Sequence, residues 1–461
     1  MPPELQSLAF DPADPNAALT QLPQAPAVFA LYGDDARAEP YVGRTPNLRA
    51  RLNRLLQPSP RHPRRLHLAG LVRRIAWLLT GSEFESLLAQ FSLLDEIFGA
   101  KVLERMHLRS PAFVRFLGSN PYPRVTVTHR PSLREADWAY GPFPSRAAAE
   151  RFAEEMLKLF LLRRCTFELA PDPSYPGCVY SEMKMCLAPC YKGCTDERYA
   201  EESLAVQSFL ATRGESRLVT LRTERDQASA DLAFESAAAL HAQVQRVEAV
   251  HALASELVRP LSHLRAVILQ ASANPGEVAV FLFENGRLRG PAAFCTLGMR
   301  IQNEQSGSTS LFAQPLAIEA IPEQIENSEQ RTEEQGTERQ GAGNREQGVE
   351  KQRTDDGGNG VAEAQAEPHE SHTPAAHKLA RGVLESRLED VLAALTQDKA
   401  APTATIRQGH LALLKRWYYR PEAKRTGEIF FPDAEDRWPI KAILRGVGRM
   451  AAKTILPPPQ T

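Results

Sequence analysis

Residues 301–378 constrain this chain more than any other stretch. They are rich in Gln, Glu, Gly, Asn and Ser, have no aromatic residue after Phe312, and show no sustained apolar period. Such a segment cannot bury enough apolar surface to offset the entropy of ordering, so disorder is expected. It divides the 461 residues into a body, 1–300, and a C-terminal piece, 379–461.

The division also changes what the charge means. The whole chain carries a formal −1, which excludes a uniformly basic nucleic-acid binder. Residues 301–378 hold fifteen acids and six bases, an excess of nine negative charges, so everything else sums to +8. Between Arg44 and Ala76 there is no acid at all, but there are nine arginines: Arg44, Arg49, Arg51, Arg54, Arg61, Arg64, Arg65, Arg73 and Arg74. Such a run suits a phosphate backbone. With 43% hydrophobic and 24% charged residues, the composition is that of an ordinary globular protein. No apolar run approaches the roughly 18 residues of a membrane span. The start, MPPELQSLAFDPADP, lacks the pattern of a secretory signal, so a cytoplasmic protein is expected.

Periodicity outlines the body. Ala27–Tyr32 and residues 39–44 read as a hairpin around Gly33-Asp34-Asp35. Pro46 is expected in the first turn of a helix that runs to Leu56, with Leu48, Leu52, Leu55 and Leu56 on one face. Residues 75–79 read as a third strand and 83–97 as a second helix. Beyond them lie a β-like stretch over 113–129 and an amphipathic helix over 145–162. Two or three helices are expected over 196–257, and strands over 266–297 around the hairpin signal Asn285-Gly286.

Three constellations carry candidate chemistry. Ala27-Val28-Phe29 and Tyr41-Val42-Gly43 fall on adjacent strands, and Arg51 follows Tyr41 by ten residues, on the next helix. A hydroxyl beside a fixed cation suits phosphodiester hydrolysis, although both tyrosine and phenylalanine are also ordinary strand core residues. Cys165, Cys178, Cys186 and Cys190 follow the spacing C-x12-C-x7-C-x3-C, with Cys194 nearby and Cys295 isolated. Five of six cysteines within thirty residues argue for a metal site over disulfides; spacing alone leaves zinc, an iron–sulfur cluster or plain packed thiols open. Residues 221–248, LRTERDQASADLAFESAAALHAQVQRVE, read as an alanine-rich helical hairpin.

The first constellation resembles the GIY-YIG nuclease family, and specifically the UvrC component of the bacterial UvrABC excinuclease, through the string PYVGRTPNLRARL from Pro40 to Leu52. Phe160 to Cys165 and Met185 to Cys190 resemble that family's FxLRxC and RCLAPC segments. Tyr122-Pro123-Arg124-Val125 and Tyr140-Gly141-Pro142-Phe143 resemble its connecting segments. Residues 221–248 resemble its UVR motif, and the matches run in order from about Pro26 to Leu297. The resemblance implies catalytic roles for Tyr41 and Arg51, a phosphate contact for Arg44, and Mg²⁺ or Mn²⁺ if the nuclease is active. It implies a [4Fe–4S] cluster on Cys165, Cys178, Cys186 and Cys190, with zinc as the alternative, and no place for Cys194. It also implies docking to the excinuclease partner UvrB through Leu232, Phe234, Glu235 and Ala238, and DNA contacts from Arg49, Arg54, Arg61, Arg64, Arg65, Arg73 and Arg74.

Two departures bear on activity. Phe29 stands where the family has its first tyrosine, and Gln90 stands at the metal-binding glutamate. A neutral amide is a poor ligand for a hard divalent cation, and Glu83 and Glu85 are not expected to compensate. The resemblance therefore implies either a DNA repair endonuclease making one incision, or a non-catalytic adaptor with a decayed site. A four-cysteine zinc protein that binds nucleic acid outside repair is a third reading.

The expected organisation is multidomain, mixed α/β plus α. Residues 1–24 are an extension, 25–105 a GIY-YIG α/β domain, and 106–200 a linker with the cysteine-rich domain. Residues 201–260 are helical with the UVR motif, 261–300 a small β element, 301–378 a disordered insert, and 379–461 a basic and aromatic C-terminal domain. That last piece is too short for the RNase H-like nuclease and helix-hairpin-helix region with which the family continues. Its arginines and lysines alternate with Trp417, Tyr418, Tyr419, Phe430, Phe431 and Trp438. The pattern suits either stacking on a nucleic-acid strand or an aromatic core with a solvated basic face.

Overall fold

The computed structural model describes residues 5–35, 37–57, 68–132, 138–296, 374–397 and 400–455. The expected disorder of 301–378 falls outside these residues, apart from 374–378, which begin a helix.

The first sheet is antiparallel with order β1-β4-β2-β3: β1 (Gln6–Ala9), β2 (Ala27–Tyr32), β3 (Tyr41–Thr45) and β4 (Arg74–Leu79). The helices α1 (Pro15–Leu19) and α2 (Leu48–Leu56) cover one face, on a core of Phe10, Leu19, Leu22, Phe29, Leu31, Leu48, Leu52 and Trp77. Residues 1–24 are thus no detached extension. β1 pairs with β4, and Phe10, Leu19 and Leu22 belong to the core. Pro46 lies outside α2, whose N-cap is Asn47; its side chain accepts from the Ala50 N–H.

The other face of this sheet packs on α3 (Glu83–Phe98), where Val28 and Ala30 meet Ala89 and Leu93. α3 is apolar on its far side too. Phe84, Leu87, Leu88, Phe91 and Leu94 enter a second core with Ile268, Phe281, Phe283, Leu411, Leu414 and Trp417. Burying one such phenylalanine contributes about 2–3 kcal/mol. A short helix, α4 (Val102–Arg105), follows.

The middle of the chain forms a second antiparallel sheet of β5 (Ala112–Phe116), β6 (Val125–Thr128), β7 (Ala139–Phe143) and β8 (Arg259–Pro260), in the order β6-β5-β7-β8. It packs with α5 (Arg146–Leu157) and α7 (Asp196–Ala211) and with the base of a hairpin of α8 (Glu215–Ala230) and α9 (Phe234–His251). α6 (Val179–Glu182) is a single turn in the cysteine-rich loop.

The third sheet corrects the expected C-terminal boundary. β9 (Ala266–Ala271), β10 (Glu277–Glu284) and β11 (Arg287–Cys295) are joined by β12 (Glu428–Phe430), in the order β11-β10-β9-β12. Alternation along β9 divides its side chains. Ala266 and Ile268 face α3 and α11 (Ala404–Tyr418), while Val267 and Leu269 face α10 (Pro374–Thr396) and α12 (Ile440–Ile455). Residues 381–455 therefore complete this sheet and are not a separate domain.

The tail aromatics are structural. Trp417 is 3% exposed and donates to the Thr426 carbonyl, Tyr419 donates to the Pro142 carbonyl, and Arg265 and Arg259 lie over Trp438 and Phe431. Of the six tail aromatics Trp417 is buried and the other five are half-buried. Among the described residues no helix is long and apolar enough to cross a membrane.

α11 presses closely on α3. A Cβ at Gly409 would run into the Phe91 ring, and His410 stands edge-on to Phe91 with ring centroids 5.1 Å apart. His410 accepts from the Leu288 N–H at 2.8 Å through Nδ1, and burial, reinforced by Arg287, holds its pKa down to about 3. The unfolded chain takes up a proton at this histidine below about pH 6.5, whereas the folded chain does not, so stability is lost as pH falls from 6.5 toward 3. The urea midpoint is expected to drop between pH 7 and pH 5, with a slope of up to about 1.4 kcal/mol per pH unit from this group. His410→Asn, which keeps an acceptor for Leu288, is expected to flatten that fall, leaving the smaller contribution of His251. Equal falls in both proteins would contradict the assignment.

Candidate functional site

β3 is an edge strand, and its alternation sends side chains to two different helices. Tyr41 points toward the α2 side, where Arg51 Nη2 donates to its hydroxyl at 3.4 Å. Phe29 pairs across the sheet with Gly43, is fully buried, and has its ring centroid 6.2 Å from that of Tyr41. A Cβ at Gly43 would stand 2.8 Å from the Phe29 ring, so glycine is what allows the two to face each other. The sequence thus pairs Tyr41 with Arg51 as anticipated. Phe29 supplies packing and no hydroxyl.

Arg44 points to the other side, where its Nη1 lies 3.3 Å from Glu83 Oε1 at the first turn of α3. The same carboxylate accepts two hydrogen bonds from Arg420, at 2.7 and 2.8 Å. Those bonds, with Arg44 adding its charge, lower the Glu83 pKa to about 2. The sequence marks Arg420 as one of the basic residues of the C-terminal piece but not as a partner of Glu83, which lies 337 residues away. Glu85 is only 6% exposed, caps the start of α3 by accepting from the Gly81 N–H, and burial raises its pKa.

Gln90 lies half-buried on α3, about two turns after Glu83. It brings an amide and no charge. Both acids of the first turn are already engaged, so neither is free to replace a carboxylate there. Among the described residues no three His, Cys, Asp or Glu side chains are gathered to hold a metal ion. The residues around Gln90 do not fit a divalent cation.

The arginines expected on DNA divide. Arg49 donates to the Leu22 carbonyl at 2.6 Å, Arg73 pairs with Asp34 at 2.9 Å, and Arg74 lies 4.0 Å over the Tyr32 ring. Arg54 is exposed and donates back to the Ala50 carbonyl. Arg61, Arg64 and Arg65 lie outside the described residues.

All six cysteines are free thiols. Burial pushes the Cys186 thiol up to about 11, with Cys165, Cys190 and Cys178 adding to the shift. Burial, then Cys178, also raises Cys190. The four thiols of the spacing motif therefore share one environment, though no three close to ligand distance. Two donors face this group: the Ala188 N–H donates to Cys186 Sγ at 3.3 Å, and the buried Arg163 lies 3.7 Å from Cys165 Sγ. Arg163 is fixed by bonds to the Tyr122 and Phe167 carbonyls. Cys194 stands apart, raised by burial and Asp196 with no contribution from another thiol.

The α8–α9 hairpin is anchored at its base, where Leu218, Leu221, Val244, Val247 and Val250 are buried and Arg222 pairs with Glu248 at 2.9 Å. Its tip carries apolar side chains into solvent: Leu232 is 72% exposed and Phe234 67%, with Glu235 and Ala238 exposed beside them. Single exposed apolar residues are ordinary; here two large ones stand on one turn.

Comparison with known proteins places this geometry. The UvrC/Cho excinuclease middle-domain family matches residues 113–211, which span β5 to α7 and include the cysteine-rich loop. The chain is 29% identical over 281 residues to UvrABC system protein C of Alcanivorax borkumensis, covering 61% of this chain and 46% of that protein. It is 28% identical over 286 residues to the same protein of Pseudomonas protegens, covering 62% and 46%, and 27% identical over 278 residues to that of Carboxydothermus hydrogenoformans, covering 60% and 45%. The chain thus spans just under half the length of these relatives. No solved structure matches. With a UvrC/Cho-type middle domain and UvrC similarity over about 60% of its length, the chain is a UvrC-like protein.

Proposed function

We propose that this chain acts in nucleotide excision repair by binding DNA and docking on UvrB, with incision at its N-terminal GIY-YIG-like unit impaired. The observation that carries the impairment is the state of α3. Gln90 offers an amide at the position the resemblance assigns to the metal-binding glutamate, Arg44 and Arg420 hold Glu83, and Gly81 holds Glu85. The Tyr41–Arg51 pair favours a second reading, residual incision. There Tyr41 would hold a water against the phosphate and Arg51 would offset the developing charge.

The hairpin tip supports docking. Phe234 and Leu232 gain burial only against a partner, and a fully covered aromatic anchor of this kind contributes about 2 kcal/mol or more.

Lesion-bearing duplex incubated with UvrA, UvrB and Mg²⁺ or Mn²⁺ tests this reading. Wild type is expected to bind with UvrB but cut little, and Gln90→Glu to gain cutting. Phe234→Ser is expected to lose UvrB association at least tenfold with an unchanged melting temperature. Wild-type cutting that Arg51→Ala abolishes would overturn the impairment.

Cys165, Cys178, Cys186 and Cys190 are the proposed ligands of a [4Fe–4S] cluster, with zinc as the alternative. When bound, such a group would tie together a loop that has few apolar contacts of its own. Anaerobically purified protein is expected to contain iron and sulfide and to absorb near ~400 nm. Stoichiometric zinc without iron would overturn the cluster.

A further inference from the structure

We propose that Arg44 and Arg420 together form a phosphodiester-binding site on the edge of the N-terminal sheet, with Glu83 as an internal counterion that DNA displaces. The inference rests on the DNA-binding reading and deepens it. Arg44 comes from β3, Glu83 from the first turn of α3, and Arg420 from just beyond the C-cap of α11, in a segment past Leu297 where the family resemblance stops. The three meet in one place because α11 packs along α3.

The geometry is that of a phosphate site holding a substitute. Arg420 grips the carboxylate with two parallel bonds, as a guanidinium grips phosphate oxygens, and Arg44 approaches one of the same oxygens. Two guanidinium groups on one carboxylate leave a net +1. Among the described residues neither arginine pairs with another acid. The cluster is also open to solvent: the side chains of Arg420, Arg44 and Glu83 are 26%, 35% and 42% exposed. A buried structural clamp would be closed to an incoming anion, whereas this one is reachable. Arg44 sits three residues after Tyr41 on the same edge strand and points to the opposite face, so the proposed site is separate from the Tyr41–Arg51 pair.

The test is duplex binding by fluorescence anisotropy at two salt concentrations, using the full chain. Glu83→Gln keeps hydrogen-bond acceptance but removes the internal charge. It is expected to tighten binding roughly fivefold and to steepen the salt dependence by about one released counterion per freed arginine. Adding Arg420→Ala to Glu83→Gln is expected to cancel the gain, and Arg420→Ala alone to weaken binding severalfold. A merely structural ion pair predicts otherwise: Glu83→Gln and Arg420→Ala would both lower the melting temperature, and neither would change the salt slope. Wild type that binds duplex while Glu83→Gln does not improve it would overturn this inference and leave the DNA reading standing. If no variant binds duplex, both fall.

Discussion

α3 is buried on two opposite faces, and the rest of the structure depends on that constraint. Ala89 and Leu93 close the first sheet, while Phe84 and Phe91 enter a core built from the third sheet and α11. Phe84 stands 5.2 Å from Phe281 and 5.3 Å from Trp417, centroid to centroid, and Gly409 lets α11 come down onto Phe91. A helix apolar on one stripe could have served a free-standing N-terminal domain. With two stripes it cannot be separated from the C-terminal residues without exposing one of them. The position of Arg420 follows from this packing.

Much of the fold was legible because local pattern and tertiary role agree. A short apolar run bounded by a turn located β2, alternation located β9 and β10, Asn285-Gly286 located the turn between β10 and β11 with both residues at positive φ, and leucine spacing located α2. β1 was missed because four residues, QSLA, carry almost no periodic signal and gain their strand character from pairing with β4. β12 was missed for the same reason: its three residues become a strand only at the free edge of β9. The tail was ambiguous for a different reason. Basic residues among aromatics describe both a stacking surface and a core whose aromatics are capped by cations. Arg425 against Tyr418 and Arg265 against Trp438 belong to the second kind.

The candidate site divides in the same way. Tyr41 and Arg51 were readable as a pair because ten residues of strand, turn and helix leave them one face to share. The Arg44–Glu83–Arg420 cluster was not readable, since no sequence pattern links Arg420 to a helix 337 residues away. Arg49 and Arg73 show the cost of reading charge by composition. Both belong to the basic run, yet one ties α2 to the Leu22 carbonyl and the other holds Asp34 beside the β2–β3 turn. The hairpin lies between these cases. Its alanines and Phe234 marked it, but only the fold shows that the marked residues crown a protruding turn.

Native-state hydrogen exchange on α3 and α11 tests the central claim most directly. If α3 is held from both sides, the slowest amides of α3 and α11 open together, with one free energy and one denaturant dependence. Amides of α11 that open with a free energy more than about 2 kcal/mol below those of α3 would mean that the C-terminal residues are a detachable layer, and would contradict the account.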